Sequence, residues 1–139
     1  MKIDKDYLKG LLEAFESAEK PTTNIKELES KGFNYEDDKF VLHTDILIDK
    51  GYIESFGTNT RGVGYILLGG GQRSWSNVPL RLTAFGHDFI ESLNEPNVWN
   101  EIQTNFKDAS FETVVSVAKD LAKGYAKQKV KTLLEASGS

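Results

Sequence analysis

The chain has 139 residues, 39% hydrophobic and 27% charged, with a formal net charge of -4 and no cysteine. That length can bury a core without staples, and the missing thiols exclude disulfides, cysteine-ligated zinc and thiol catalysis. The charged start MKIDKDYLKG lacks the apolar stretch of a signal peptide and no run approaches the length of a membrane span, so a cytoplasmic protein with no membrane partner is expected.

The charge is unevenly spread. Residues 1–60 hold thirteen acids and eight lysines, a net of -5, whereas residues 61–139 hold eight acids and nine Lys/Arg, a net of +1. Arg61, Arg73 and Arg81 all fall in one short stretch, and no Asp or Glu occurs from Ser55 to His87. An acid-free segment carrying every arginine of an acidic protein is suited to phosphate, although a glycine-rich hairpin can lack acids by chance.

Ile3, Tyr7, Leu8, Leu11, Leu12 and Phe15 recur at helical spacing, so a helix is expected from about Asp4 to Glu19, closed by Lys20-Pro21. Asn24 with Glu27 resembles a capping box for a short helix over 24–31 ending at Gly32; an extended segment is the alternative. A third helix is expected from about Tyr35 to Lys50, with Asn34 as cap, Glu36 and Asp37 in the first turn, and Gly51 as the left-handed stop. On its wheel Phe40, Val41, Thr44, Leu47 and Ile48 form a broad apolar face with Leu42 and Ile46 nearly opposite. Two strips are left for solvent, one of Asp38, Asp45 and Asp49, the other of Lys39, His43 and Lys50.

Tyr52 to Phe56 and Val63 to Leu68 are strand-like and separated by GTNTRG, which predicts a hairpin. Gly69 to Asn77 reads as a mobile loop carrying Arg73 and Trp75, and Val78 to Leu82 as a third strand at an edge because of Pro79. Trp75 could stack on a base or insert into a partner, or fold back as a lid on the core. Thr83 caps a helix over Ala84–Leu93 with Phe85, Phe89, Ile90 and Leu93 inward; Pro96 breaks it, and Asn97 opens a short helix that buries Val98, Trp99, Ile102 and Phe106. Ser110 starts a long amphipathic helix with Lys119, Lys123, Lys127, Lys129 and Lys131 on its polar side, either a solvated face or a surface for an anionic partner. Gly124 weakens its continuity. Such a helix can make a homodimer or pack across its own domain, and the final ASGS is expected to be disordered.

The segments GFNYEDDKFVLHTDILIDKGYIE and LRLTAFGHDFIESL, followed by Asn-x-Val-Trp-Asn, resemble the third helix, the strand-to-helix junction and the sequel in a family of uncharacterised phage- and bacterium-encoded winged-helix proteins, a domain of unknown function close to the YjcQ-like group. The resemblance covers about Lys2 to Phe106, and the long GVGYILLGGGQRSWSN segment departs from it. It implies an α+β fold, a winged helix-turn-helix with a small antiparallel β wing over residues 1–94. A helical extension over 95–135 would pack on this domain or dimerise, and 136–139 would be a disordered tail. It implies no activity.

Little in the chain suits catalysis. The two histidines, His43 and His87, are not in a metal-ligand spacing, Gly62-x-Gly64 lacks the third glycine of a dinucleotide fingerprint, and GGGQRS lacks the ending of a P-loop. Glu36, Asp37 and Asp38 could hold a divalent cation, but a charged helix start already explains them. The expectation is therefore no enzyme, no metal and no cofactor. Two functions fit. The first is double-stranded DNA binding by a regulator of phage or prophage type, with Arg61, Arg73, Lys39 and His43 toward the nucleic acid. The second is a protein-interaction module on the same scaffold, such as a phage protein engaging a host factor, with Trp75 and Arg73 at the partner.

Overall fold

The computed structural model describes residues 1–138. Its architecture is α+β, with helices α1 (Lys5–Glu16), α2 (Ile25–Ser30), α3 (Asp38–Asp49), α4 (Ala84–Asn94), α5 (Pro96–Asn105) and α6 (Phe111–Ser137), and strands β1 (Ile53–Ser55), β2 (Tyr65–Leu67), β3 (Arg73–Trp75) and β4 (Leu80–Leu82). The chain divides into two compact units, Met1–Asp88 and Phe89–Ser139, at a point inside α4.

In the first unit α1 is capped by Asp4, whose carboxylate accepts the Tyr7 N–H at 3.0 Å, and its inner face buries Leu8, Leu11, Leu12 and Phe15. The helix stops at Glu16, short of the expected Glu19, because Ser17 turns back on Glu13 while the Lys31 ammonium takes the free Ala14 carbonyl. Asn24 caps α2 through the Glu27 N–H. Glu27 does not complete a capping box; its carboxylate accepts the Thr23 hydroxyl instead. Helix α3 begins later than its sequence suggests. Asn34 accepts the Glu36 N–H in a separate turn, and Asp37 takes the cap position. Gly51 ends α3 with a φ of 72°, in the left-handed region that glycine tolerates.

The strand pairing corrects the expected hairpin. Strand β1 pairs antiparallel with β4, Glu54 opposite Arg81, and an isolated bridge joins Thr23 to Leu80 on the other side of β4. Pro79 lies just outside this ladder, while its carbonyl accepts the Phe56 N–H. Strand β2 pairs with β3, Tyr65 opposite Trp75, so Arg73–Trp75 is strand and not mobile loop. The reversal is made by Gly69–Gly71, where Gly70 and Gly71 both have positive φ.

Helix α4 starts at a tightly built corner. Thr83 donates its hydroxyl to the Gly51 carbonyl and its N–H to the Tyr52 carbonyl, and its hydroxyl oxygen accepts the Gly86 N–H. Gly86 lies so close to the Tyr52 carbonyl that a Cβ there would sit 2.0 Å from the oxygen. Thr83 and Gly86 of the Leu-Thr-x-x-Gly-His motif are thus packing residues. Phe85 is 69% exposed, contrary to its expected inward position, because the helix face that meets the strands is the one bearing Gly86.

In the second unit Phe89, Ile90 and Leu93 are buried, and Phe89 meets Phe111 edge-on at 6.0 Å. Helix α4 ends at Asn94, ahead of Pro96 as expected; Pro96 itself, and not Asn97, is the first residue of α5, where its missing N–H costs nothing, and Glu95 caps that helix through the Val98 N–H. Ser110 caps α6, which packs against α5 and buries Val114, Val115 and Ala118. The helix runs through Gly124 to Ser137, so Ala136 and Ser137 of the expected tail are helical, while Ser139 lies outside the described residues.

Candidate functional site: the third helix and its hairpin

The middle of α3 is largely occupied. Phe40, Val41, His43, Thr44 and Leu47 are buried, while Leu42, Asp45 and Ile46 are half-buried on one strip with exposed Asp38 and Asp49. Of the two strips expected to meet solvent, neither is wholly outward: Asp38 and Asp49 of the acidic one and Lys39 and Lys50 of the basic one are exposed, while Asp45 is half-buried and His43 is buried.

His43 belongs to neither surface. Its Nε2 accepts the Asp4 N–H at 2.8 Å, and its Nδ1 lies 2.6 Å from the Lys39 carbonyl, to which it donates as the neutral Nδ1–H tautomer. The Tyr7 ring lies 4.7 Å away. Lys39 reaches back to the Asp4 carboxylate at 2.7 Å, so one short circuit ties the start of α1 to α3. Burial holds the His43 imidazole below its ordinary value, the Lys39 ammonium adding to this and the Asp4 carboxylate opposing it. Tyr7, half-buried beside it, is pushed up to about 12 by that burial.

A pH dependence follows. The unfolded chain takes up a proton at His43 near 6.5, whereas the fold excludes it until a lower pH, so the unfolded state binds more protons in between and stability falls as pH drops below about 6.5. Urea midpoints at pH 7.5 and pH 5.5 should show this loss, and it should shrink in His43→Gln. An equal loss in that variant would assign the effect to other groups.

The β2–β3 hairpin is pinned to α3. The Tyr65 hydroxyl donates to the Asp45 carboxylate at 2.8 Å, and the Arg73 guanidinium pairs with Asp38 at 3.0 Å while lying over the Tyr65 ring. Burial raises the Asp45 carboxyl, with the Tyr65 hydrogen bond opposing, and raises the Tyr65 phenol, reinforced by Asp45. Trp75 packs against Tyr65, Tyr35 and Phe40, with ring centroids 5.3, 5.1 and 6.3 Å away. Two glycines permit the approach. A Cβ on Gly62 would press on Asp45 and Tyr65, and one on Gly64 would lie 2.6 Å from the Ser76 carbonyl oxygen.

The sequence-derived cations therefore separate. His43 is enclosed, Lys39 is held by Asp4, and Arg73 is held by Asp38 with its Nε buried and lacking a hydrogen-bond partner. Arg61 is exposed at the hairpin's base, and Arg81 pairs with Glu54. The pairs of Lys39 and Arg81 are surface contacts that a stronger anion can displace; that of Arg73 is fixed by the stacking beneath it. Trp75 occupies the lid position, half-buried. Sequence reasoning missed Ile66, Leu67 and Leu68, which are consecutive and all exposed on the hairpin. The signal was present: three consecutive aliphatic residues beside a glycine turn.

Among the described residues no group of three or more His, Asp or Glu side chains is placed to hold a metal ion. No curated protein and no solved structure matches the chain. A family model described as Hypothetical protein (DUF2513) matches residues 2–112, and the chain belongs to that family, a domain of unknown function.

Proposed function

We propose that the Met1–Asp88 unit is a winged-helix scaffold used to bind a protein partner. The chain order supports the scaffold: three helices, then β1, a long connection and β4, with β4 lying between β1 and the Thr23 segment that precedes α2. In this arrangement α3 is the helix that would enter a major groove, and the 56–79 connection is the wing.

The observation that carries the protein-binding reading is the folding of that wing onto α3. Tyr65, Arg73 and Trp75 engage Asp45, Asp38 and Phe40, and the strip between the wing and the exposed Lys39 and Lys50 bears Leu42, Ile46 and Asp49. An aliphatic and acidic strip repels phosphate and suits a protein surface. The exposed Ile66, Leu67 and Leu68 of the wing supply the apolar contact.

A pull-down with the full chain tests this. Wild-type protein should retain a saturable partner that Leu67→Asp loses at unchanged melting temperature; retention by Leu67→Asp would remove the wing from the interface. A second reading, binding of duplex DNA, rests on exposed Arg61 in a segment without acids. It would be selected by anisotropy with mixed duplex if affinity falls steeply as salt rises and Arg61→Ala lowers the log-log slope by about one.

A further inference from the structure

The two halves of α6 present apolar side chains on different sides. At about 100° per residue, Phe111, Val114, Val115, Ala118, Leu121 and Tyr125 share one face, of which Val114, Val115 and Ala118 are buried. Ala126, Val130, Leu133 and Leu134 centre on a second face, rotated by about 100° from the first. From 126 to 138 every residue is exposed, with Val130 at 54%, Leu133 at 60% and Leu134 at 65%. The second stripe is thus not a continuation of the packed face. It has no cover of its own, and a helical stretch this short draws no stability from length alone.

The charges around the stripe identify what covers it. Lys127 lies on one flank, about 75° from the centre of the stripe, with Lys131 beyond it, and Lys129 lies on the other flank at about 85°. Gln128 and Thr132 occupy the far side. Lys127, Val130, Lys131, Leu134, Glu135 and Gly138 border one shallow trough. Basic residues on both flanks of an apolar stripe, with the lone acid of this stretch, Glu135, beyond Lys131 at the rim of the trough, form an arrangement that suits a flat anionic surface: the stems extend along the apolar boundary and the ammonium groups reach the charged layer. A second copy of α6 would place lysines against lysines along both edges of the seam, which opposes self-pairing.

We infer that the 126–138 segment of α6 is a peripheral anchor that lies on an anionic lipid surface, Val130, Leu133 and Leu134 entering the acyl boundary and Lys127, Lys129 and Lys131 engaging headgroup phosphates. No helix among the described residues is long and apolar enough to cross a membrane; this one lies on it. The family match ends at residue 112, so the anchor is outside the matched region and independent of the partner surface proposed above.

The test is flotation of the full chain with vesicles of phosphatidylcholine alone or mixed with phosphatidylglycerol. Binding is expected to the mixed vesicles only and to weaken as salt rises. Lys127→Gln with Lys129→Gln should weaken it about 25-fold, two lysines at roughly fivefold each, and Leu133→Gln with Leu134→Gln should abolish it. Both pairs are exposed, so the thermal melt should be unchanged. Absence of binding to the mixed vesicles, equal binding to neutral ones, or full binding by the leucine variant would each overturn the proposal. So would a concentration-dependent dimer in sedimentation equilibrium that the leucine variant removes, because a second copy would then cover the stripe.

Discussion

Replacing Gly86 with alanine should destabilise the Met1–Asp88 unit more than any other single methyl group added to it. Alanine is the better helix former by about 1 kcal/mol, so an exposed glycine in α4 would gain from the change. Here the new Cβ would stand 2.0 Å from the Tyr52 carbonyl oxygen and 2.9 Å from Leu82 Cδ2. That oxygen already accepts the Thr83 N–H, so moving it aside strains the corner where α3, β1 and α4 meet. Overpacking against backbone outweighs the helix gain, and a net loss of about 3 kcal/mol is expected. For a unit of this size the melting midpoint should fall by roughly 15 °C. A midpoint equal to or above that of the wild type would show that α4 does not rest on the turn after α3. Gly124→Ala is the control, because nothing lies within 4 Å of the added Cβ.

Trp75→Ala should act on stability before it acts on binding. Trp75 fills the space between Tyr35, Phe40 and Tyr65, and through β3 it holds Arg73 at Asp38. Its half-burial places the expected loss somewhat below that of a fully enclosed tryptophan, at about 2 to 3 kcal/mol. The near-ultraviolet circular dichroism of the aromatic cluster should collapse with it, and Trp75→Phe should recover most of the stability. Unchanged stability with lost partner capture would instead make Trp75 an anchor at the interface, with Leu67 and Leu68 secondary.

The contrast between Trp75 and Leu67 shows how far the amino-acid pattern reaches. Helix starts were readable wherever the signal is a side chain acting on its own first turn: Asn24 on Glu27, Thr83 on Gly86 and Ser110 on Thr113 each complete their bond within three residues. Gly51 was readable for the same reason, since a left-handed stop is a property of one residue. The inward face of α1 followed from periodicity, because repeated apolar spacing fixes which residues share a side.

Partnership between distant segments was not readable. Glu54 meets Arg81 and Thr23 meets Leu80 across long stretches of chain, and nothing in YIESF indicates that its partner is LRL and not the nearer strand. His43 looked like a surface residue on the helical wheel; only the arrival of Asp4 beside it makes its ring a buried bridge. Asp45 looked like a solvent-facing acid until Tyr65 came across to it. Sequence by itself determined the helix starts made by a side-chain cap, the left-handed stop at Gly51 and which residues of a helix share a side. Tertiary structure alone decided which side is covered and by what, because burial depends on a neighbour that local chemistry does not specify.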